Sequence, residues 1–290
     1  MRPERRPIVL CADDYGLSAG VSRGIRALAE AGRLSATGAM TNLPAFAREA
    51  PALRAFDGRI GLGLHLTLTA GAPLAAMPRL APAGSLPPLG RLMRMAFAGA
   101  LDGGEIAAEI ARQLDAFEEA IGRPPDFVDG HQHVHVLPGI RGALLATLAR
   151  RGLSGRLWLR DPADRLAAIR ARPSAPKAAL VRTLALGFRA AAARQGFPTN
   201  RGFSGFSDFA SGEAFAPAFE RAFSHPGPAP LVMCHPGEVD DELRALDPVV
   251  ESRPAELAYL ASDRFADFLD RAGLVLAPSP VAVSAAVQAG

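Results

Sequence analysis

Short apolar runs that each stop at an aspartate or a histidine, with stretches of helical spacing between them, constrain this chain more than any other feature. Ile8-Val-Leu-Cys-Ala12 is short, rich in β-formers and ends at Asp13-Asp14-Tyr15-Gly16. Ser18 then stands where a helix cap belongs, ahead of Val21, Ile25, Leu28 and Ala29 at helical spacing, with Gly32 to end the helix. The unit repeats. Ala36 to Asn42 is expected as a strand, with a helix opening at Pro44 and running to about Phe56. Ile60 to Leu68 is a third strand, with His65 near its carboxyl end.

The stretch from Ala70 to Gly90 is rich in Pro, Gly and Ala and is expected as a surface excursion. Ile106, Ile110, Leu114, Phe117 and Ile121 mark a helix over Glu105 to Ile121, stopped by Gly122 and Pro124. Phe127 to Val136 is the fourth expected strand, with a helix from Pro138 to Arg151 after it, and Arg156 to Arg160 is the fifth strand. Regularity falters over 161–208, which is expected to be an insertion over one end of the sheet. It returns with a helix near Glu213 to Phe223, a strand at Leu231 to His235, a helix from Arg253 to Ala272 and a last strand at Leu274 to Ala277. Strands alternating with helices indicate a parallel sheet of the α/β class. Gly16, Gly20 and Gly24 lack the G-x-G-x-x-G spacing of a dinucleotide-binding sheet, so an irregular (β/α) barrel is the better expectation. The whole chain, 1–290, is expected to form one domain.

Composition narrows the chemistry. There are 32 basic and 29 acidic side chains, but Lys177 is the sole lysine. A net charge of +3 spread in this way gives no electrostatic footprint for nucleic acid. Schiff-base chemistry could fall only to Lys177, and no Gly-rich loop ends in Gly-Lys-Ser/Thr. Cys11 and Cys234 each lie in an apolar run and are expected as buried thiols. The apolar stretch after the charged start is too short for a signal-peptide core, and no run approaches a membrane span, so a cytoplasmic protein is expected.

Five of the six histidines fall at the ends of expected strands, where parallel barrels build active sites. Only His225, in Ser-His-Pro-Gly, stands apart. Asp13 and Asp14 end a strand and should point in different directions, one free to bind a metal and the other to act as a base; taken alone they read first as an anion pair at a helix start. His131, His133 and His135 alternate, so in an extended strand all three would share one face beside Asp129, a pattern that favours metal binding. His65 and His235 each close a strand, and with Asp14 they supply carboxylate and imidazole donors from three strand ends. Arg160, ending the fifth strand, could contact substrate or orient Asp13, or simply be a surface arginine.

Ala12-Asp-Asp-Tyr-Gly-Leu-Ser18, Gly63-Leu-His65, Val128-Asp-Gly-His-Gln-His-Val-His135 and Cys234-His-Pro-Gly237, in that order, resemble the YdjC-type carbohydrate deacetylases. The resemblance implies an irregular (β/α) barrel related to the polysaccharide (NodB-like) deacetylases. It also implies a metal-dependent hydrolase that removes an N-acetyl group from an amino sugar, either a chito-oligosaccharide or an N-acetylglucosaminyl lipid such as a hopanoid. Carried over by motif, Asp14, His65 and His131 are the metal ligands, Asp13 the base and His235 the acid. Asp129, His133, His135 and Arg160 would contact substrate or support the ligands. Where many members have Asp-Ser-His, this chain has Asp129-Gly130-His131, without the hydroxyl. One divalent ion is implied, zinc or magnesium, with manganese, cobalt or nickel also suited to such ligands.

Two rival readings are a different metal hydrolase, such as a phosphoesterase or amidohydrolase, and a non-catalytic sugar- or lipid-binding relative. The first usually needs ligands for two metals, and Asp129, Asp240 and Asp241 are the spare carboxylates. The second would lack the base or the acid, both of which are present. A helix over 176–194, carrying Lys177, Arg182, Arg189 and Arg194 and leading to Phe203, Phe206 and Phe209, could rest peripherally on a membrane or cover a greasy aglycone. An ordinary barrel helix is the alternative. No transmembrane segment is expected, and a homodimer is compatible with the sequence.

Overall fold

The computed structural model describes residues 5–207 and 215–280. Among the described residues eight strands carry the fold: β1 (Arg6–Tyr15), β2 (Ala36–Ala39), β3 (Gly61–Leu66), β4 (Phe127–Gly130), β5 (Trp158–Leu159), β6 (Phe203–Ser204), β7 (Leu231–Cys234) and β8 (Leu274–Leu276). They pair in parallel in the order β5-β4-β3-β2-β1-β7-β6, with β8 added to the start of β1. A bridge between Leu159 and Thr199 joins β5 to the segment leading into β6, so the curled sheet is an irregular barrel.

The helices are α1 (Ala19–Glu30), α2 (Pro44–Arg54), α3 (Leu89–Phe97), α4 (Gly103–Ile121), α5 (Ile140–Arg150), α6 (Leu166–Arg170), α7 (Ala175–Leu184), α8 (Phe188–Arg194), α9 (Phe215–Ala222), α10 (Asp241–Leu246), α11 (Arg253–Ala261) and α12 (Asp263–Arg271). Ser18 caps α1 as its sequence demands, its hydroxyl accepting from the Val21 N–H. Asp102 caps α4, and Gly122, with a φ of 91°, ends it.

β1 is the axis of the molecule. It pairs with β2, β7 and β8, and Ile8 through Ala12 are fully buried. Each large apolar side chain buried here contributes about 1.5–3 kcal/mol. α4 fixes the segment that leaves β3. Its buried Gln113 accepts from the Thr67 N–H at 3.0 Å and donates to the Thr67 carbonyl at 2.7 Å, while Glu109 accepts from the Leu74 N–H at 3.1 Å. The chain two residues beyond His65 is therefore pinned to a helix rather than left as a loose loop.

Several expected elements are divided. The 176–194 helix breaks at Gly187, whose φ of 78° cannot continue a helix, and becomes α7 and α8. The helix expected over Arg253 to Ala272 breaks at Ser262, which turns extended. Phe203 and Ser204, placed by sequence in an irregular stretch, form a strand against β7. Phe203 and Phe206 are buried rather than surface aromatics, and Phe209 and Glu213 lie outside the described residues. No helix among the described residues is long and apolar enough to cross a membrane.

Candidate active site

β1 does not run straight to its end. Its pairing with β2 slips between Ala12 and Tyr15, Asp14 has a φ of 73° and Gly16 one of 86°. Aspartate tolerates this left-handed backbone better than most residues. At Gly16 a Cβ would also lie 2.9 Å from that of Phe46, so no larger residue fits. The twist sends two adjacent carboxylates to different partners.

Asp14 turns to the imidazoles. Its Oδ1 lies 3.1 Å from His131 Nδ1 and 3.4 Å from His65 Nε2. Donors bonded to one ion at about 2.1 Å are themselves about 3.0–3.4 Å apart, so this spacing fits a divalent metal. The opposite ring nitrogen of His65 donates to Asp129 Oδ1 at 2.6 Å, which fixes the ring and directs Nε2 at the site. Burial alone would favour a neutral Asp14, but the Arg253 charge and bonds from His131 and His65 hold its carboxyl well below the usual range. His65 goes the other way: burial disfavours its charge, yet Asp129 and Asp13 push it up to about 10. An arriving ion would displace that proton.

Asp13 turns to Arg160. Nη1 and Nη2 donate to Oδ2 and Oδ1, each at 2.6 Å, and Nη2 also lies 2.6 Å from Asp129 Oδ2 and 3.1 Å from Cys11 Sγ. Arg160 is fully buried and stacks over Phe203 at 5.7 Å, so it is not a surface arginine. Burial would raise the Asp13 carboxyl, but Arg160, with His65 and His235, outweighs it and holds Asp13 well below its ordinary value. Burial pushes the Cys11 and Cys234 thiols up, which keeps both inert.

The three alternating histidines do not share a face. β4 ends at Gly130, and His131–Val136 winds into a tight 3₁₀ turn in which Gln132 and His133 have φ of 53° and 60°. Only His131 reaches Asp14. His133 sits edge-on to Phe203 and Phe206, and burial keeps it neutral. His135 is held by burial down to about 4, and its Nε2 donates to the Arg160 carbonyl at 2.8 Å. It supports the backbone that carries Arg160. A Cβ at Gly130 would come within 2.9 Å of His135 Nδ1, so any larger residue here would require that ring to shift.

His235, just past β7, places Nε2 4.0 Å from Asp13 Oδ2, and burial lowers its basicity. Asp13, Asp14, His65, His131 and His235 all open onto one cavity of about 310 Å³. Its lining includes the apolar Leu89 and Met93 of α3 and Leu180 and Leu184 of α7, together with Lys177. Among the spare carboxylates, Asp240 caps α10 and accepts from the Gly20 N–H. Three lining or supporting groups carried no sequence motif. Arg253 of α11 reaches Asp14, Asp247 pairs with Arg253, and Glu256 accepts from the His235 N–H at 2.6 Å. The only sequence signal for Arg253 and Glu256 is that they stand one turn apart on the otherwise apolar α11.

The site can be set beside known proteins. A chitooligosaccharide deacetylase of Enterobacter sp. (strain 638) is 37% identical over 151 residues, which is 52% of this chain and 58% of that protein. The enzyme of the same name from Yersinia pestis (strain Pestoides F) is 41% identical over 144 residues, 49% of this chain and 55% of its own length. The matched stretch thus spans little more than half the length of these relatives. A solved structure from Enterococcus faecalis V583, provisionally named a cellobiose-phosphate cleavage protein, superposes with a TM-score of 0.72 at 23% identity, over 94% of this chain and 97% of that one. That likeness shows a shared fold. The profile of the YdjC-like protein family matches residues 7–271, and the chain belongs to that family.

Proposed function

We propose that this chain is a metal-dependent carbohydrate N-deacetylase. The observation that carries the proposal is the convergence of Asp14, His65 and His131, with ligand atoms within 4.8 Å of one another, on a cavity where Asp13 and His235 already face each other at 4.0 Å. A divalent ion held there would polarise the acyl carbonyl and make a water acidic enough to attack an amide.

The chain's own groups handle the proton. Asp13, oriented by both arms of Arg160, accepts it from the attacking water. A carboxylate held this low does not keep a proton, and His235 is the neighbouring site that can. His235 Nε2, 4.0 Å from Asp13 Oδ2, is placed to take that proton over. The departing amine is more basic than either and takes the proton from His235 as the C–N bond breaks. Asp129 supports both halves, holding His65 for the metal and Arg160 for Asp13. The curated relatives named chitooligosaccharide deacetylases support a sugar substrate.

The apolar side chains of the lining favour an amino sugar linked to a lipid such as a hopanoid over a free chito-oligosaccharide, because Leu180 is 56% exposed and would gain by covering an apolar aglycone. Mass spectrometry of N-acetylglucosamine-bearing substrates, after incubation with protein loaded with zinc, magnesium, manganese, cobalt or nickel, tests both levels. Loss of one acetyl mass supports the reaction, and no loss with any metal sinks it. Faster turnover of the lipid-linked sugar than of a soluble oligosaccharide supports the finer reading, and the reverse order removes it.

A further inference from the structure

Arg253 belongs to none of the sequence motifs, yet it makes a direct contact with a candidate metal ligand. It sits in the first turn of α11, only 1% exposed. Its Nη2 donates to Asp14 Oδ2 at 2.7 Å and to Asp247 Oδ2 at 2.7 Å, and its Nε donates to the Val249 carbonyl at 3.0 Å. Asp14 Oδ1, the other oxygen of the same carboxylate, is the one that faces His65 and His131. The two oxygens are therefore divided, one to the guanidinium and one to the imidazoles.

We propose that Arg253 is a positioning residue that assigns a single oxygen of Asp14 to the metal, and that Asp247 and the Val249 carbonyl hold the guanidinium in place for that purpose. The inference rests on the reading of Asp14, His65 and His131 as the metal site. Its physical basis is geometric. A buried carboxylate with one oxygen free could rotate, chelate with both oxygens or take up a proton, and each alternative competes with single-oxygen ligation. A lysine at 253 could not replace the guanidinium, because an ammonium lacks the planar fork that reaches Asp14, Asp247 and the backbone at once. The positive charge so close to a metal site would by itself weaken binding of a cation. Asp247 offsets that charge, so loss of positioning is expected to dominate when Arg253 is removed.

The test is a titration of metal-free protein with zinc against a competing chelator, with cobalt absorption spectra as a second readout. Arg253→Met, similar in length but without donors, is expected to weaken zinc binding by about 10–100-fold, the usual cost of losing a partner of a metal ligand. Its cobalt spectrum should shift as Asp14 changes its mode of binding, and kcat at saturating metal should fall with little change in KM. Arg253→Lys is expected to lie between the variant and the wild type, at threefold weakening or more. It decides the matter alone if Arg253→Met does not fold. Weakening below threefold, or tighter binding, with an unchanged cobalt spectrum overturns the role of Arg253. If the wild type binds and deacetylates while the variants bind equally well, only this inference falls. If the wild type binds no divalent ion, the proposed function falls with it.

Discussion

Asp13 and Asp14 are neighbours in sequence, and each anchors a cluster whose candidate ligand atoms lie within 4.8 Å of one another: Cys11, Asp13 and Asp129 on one side, Asp14, His65 and His131 on the other. By ligand count the two are equal. What separates them is where the positive charge already sits. In the first cluster Arg160 lies between all three residues, 2.6 Å from Asp13, 2.6 Å from Asp129 and 3.1 Å from Cys11, and of the three only Asp13 also lines the cavity. In the second, Arg253 approaches only the far oxygen of Asp14, so the near oxygen and two imidazole nitrogens remain turned to a cavity. On the proposed reading, the place of the nearest guanidinium rather than the proximity of acids distinguishes the metal site.

The largest effect should come from removing the shared carboxylate of the second cluster. Asp14→Ala is expected to abolish both metal binding and turnover, since it deletes a ligand and leaves Arg253 without its partner. Metal content after dialysis, measured beside activity, checks this, and a fully metallated Asp14→Ala protein would reverse the assignment of the two clusters. Next comes Asp13→Asn, which fills the same space but cannot accept a proton. It should retain its metal and lose roughly 10²–10⁴ in rate, the usual worth of a general base. Wild-type turnover in the metallated variant would take the base role away from Asp13.

Much of this contrast was legible in the sequence. Strand ends announce themselves through apolar runs that stop at Asp or His, so the positions of Asp13, Asp14, His65, His131 and His235 on one rim could be read from periodicity. The alternation of His131, His133 and His135 misled, because it presumes an extended chain. The steric signal against that lay in Gly130, which allows His135 to fold back against it. Arg253 and Glu256 were illegible for a different reason. Arg253 acts on Asp14 across about 240 residues of sequence, and Glu256 accepts from the backbone N–H of His235, a contact that no side-chain pattern announces. A buried charge on a helix looks the same as a solvated one until the helix is docked.

Asp129 tests whether the two clusters are coupled, since it bonds His65 in one and Arg160 in the other. Asp129→Asn keeps an oxygen for the His65 N–H but loses the charge that faces Arg160. Metal affinity is expected to fall by about 10–100-fold. Measured zinc dissociation constants within threefold of wild type would mean that His65 is held by packing and that the clusters are independent.

The smallest change in rate is expected at Glu256, whose test is one of stability. Glu256 is 1% exposed, one turn from Arg253, and burial raises its carboxyl from 4.5 to about 7, against the lowering effects of the His235 N–H and Arg253 and with help from Asp13 and Asp14. A carboxyl raised on folding binds its proton more tightly in the native state. Its stabilising contribution is then complete below pH 4.5, falls as pH rises toward 7, and is gone above that, a change of about 3 kcal/mol at most. Glu256→Gln cannot ionise, and its amide oxygen can still accept from the His235 N–H. The difference in unfolding free energy between Glu256→Gln and the wild type should therefore grow in favour of the variant between about pH 4.5 and 8, while turnover stays within a few-fold. Taking the difference between the two proteins removes the contributions of His65, His133 and His135, which titrate in overlapping ranges and are common to both. Chemical denaturation at four or five pH values measures it. A difference that stays flat across the range would show that Glu256 is already ionised in the folded protein, with Arg253 serving both carboxylates, Asp14 and Glu256, at once.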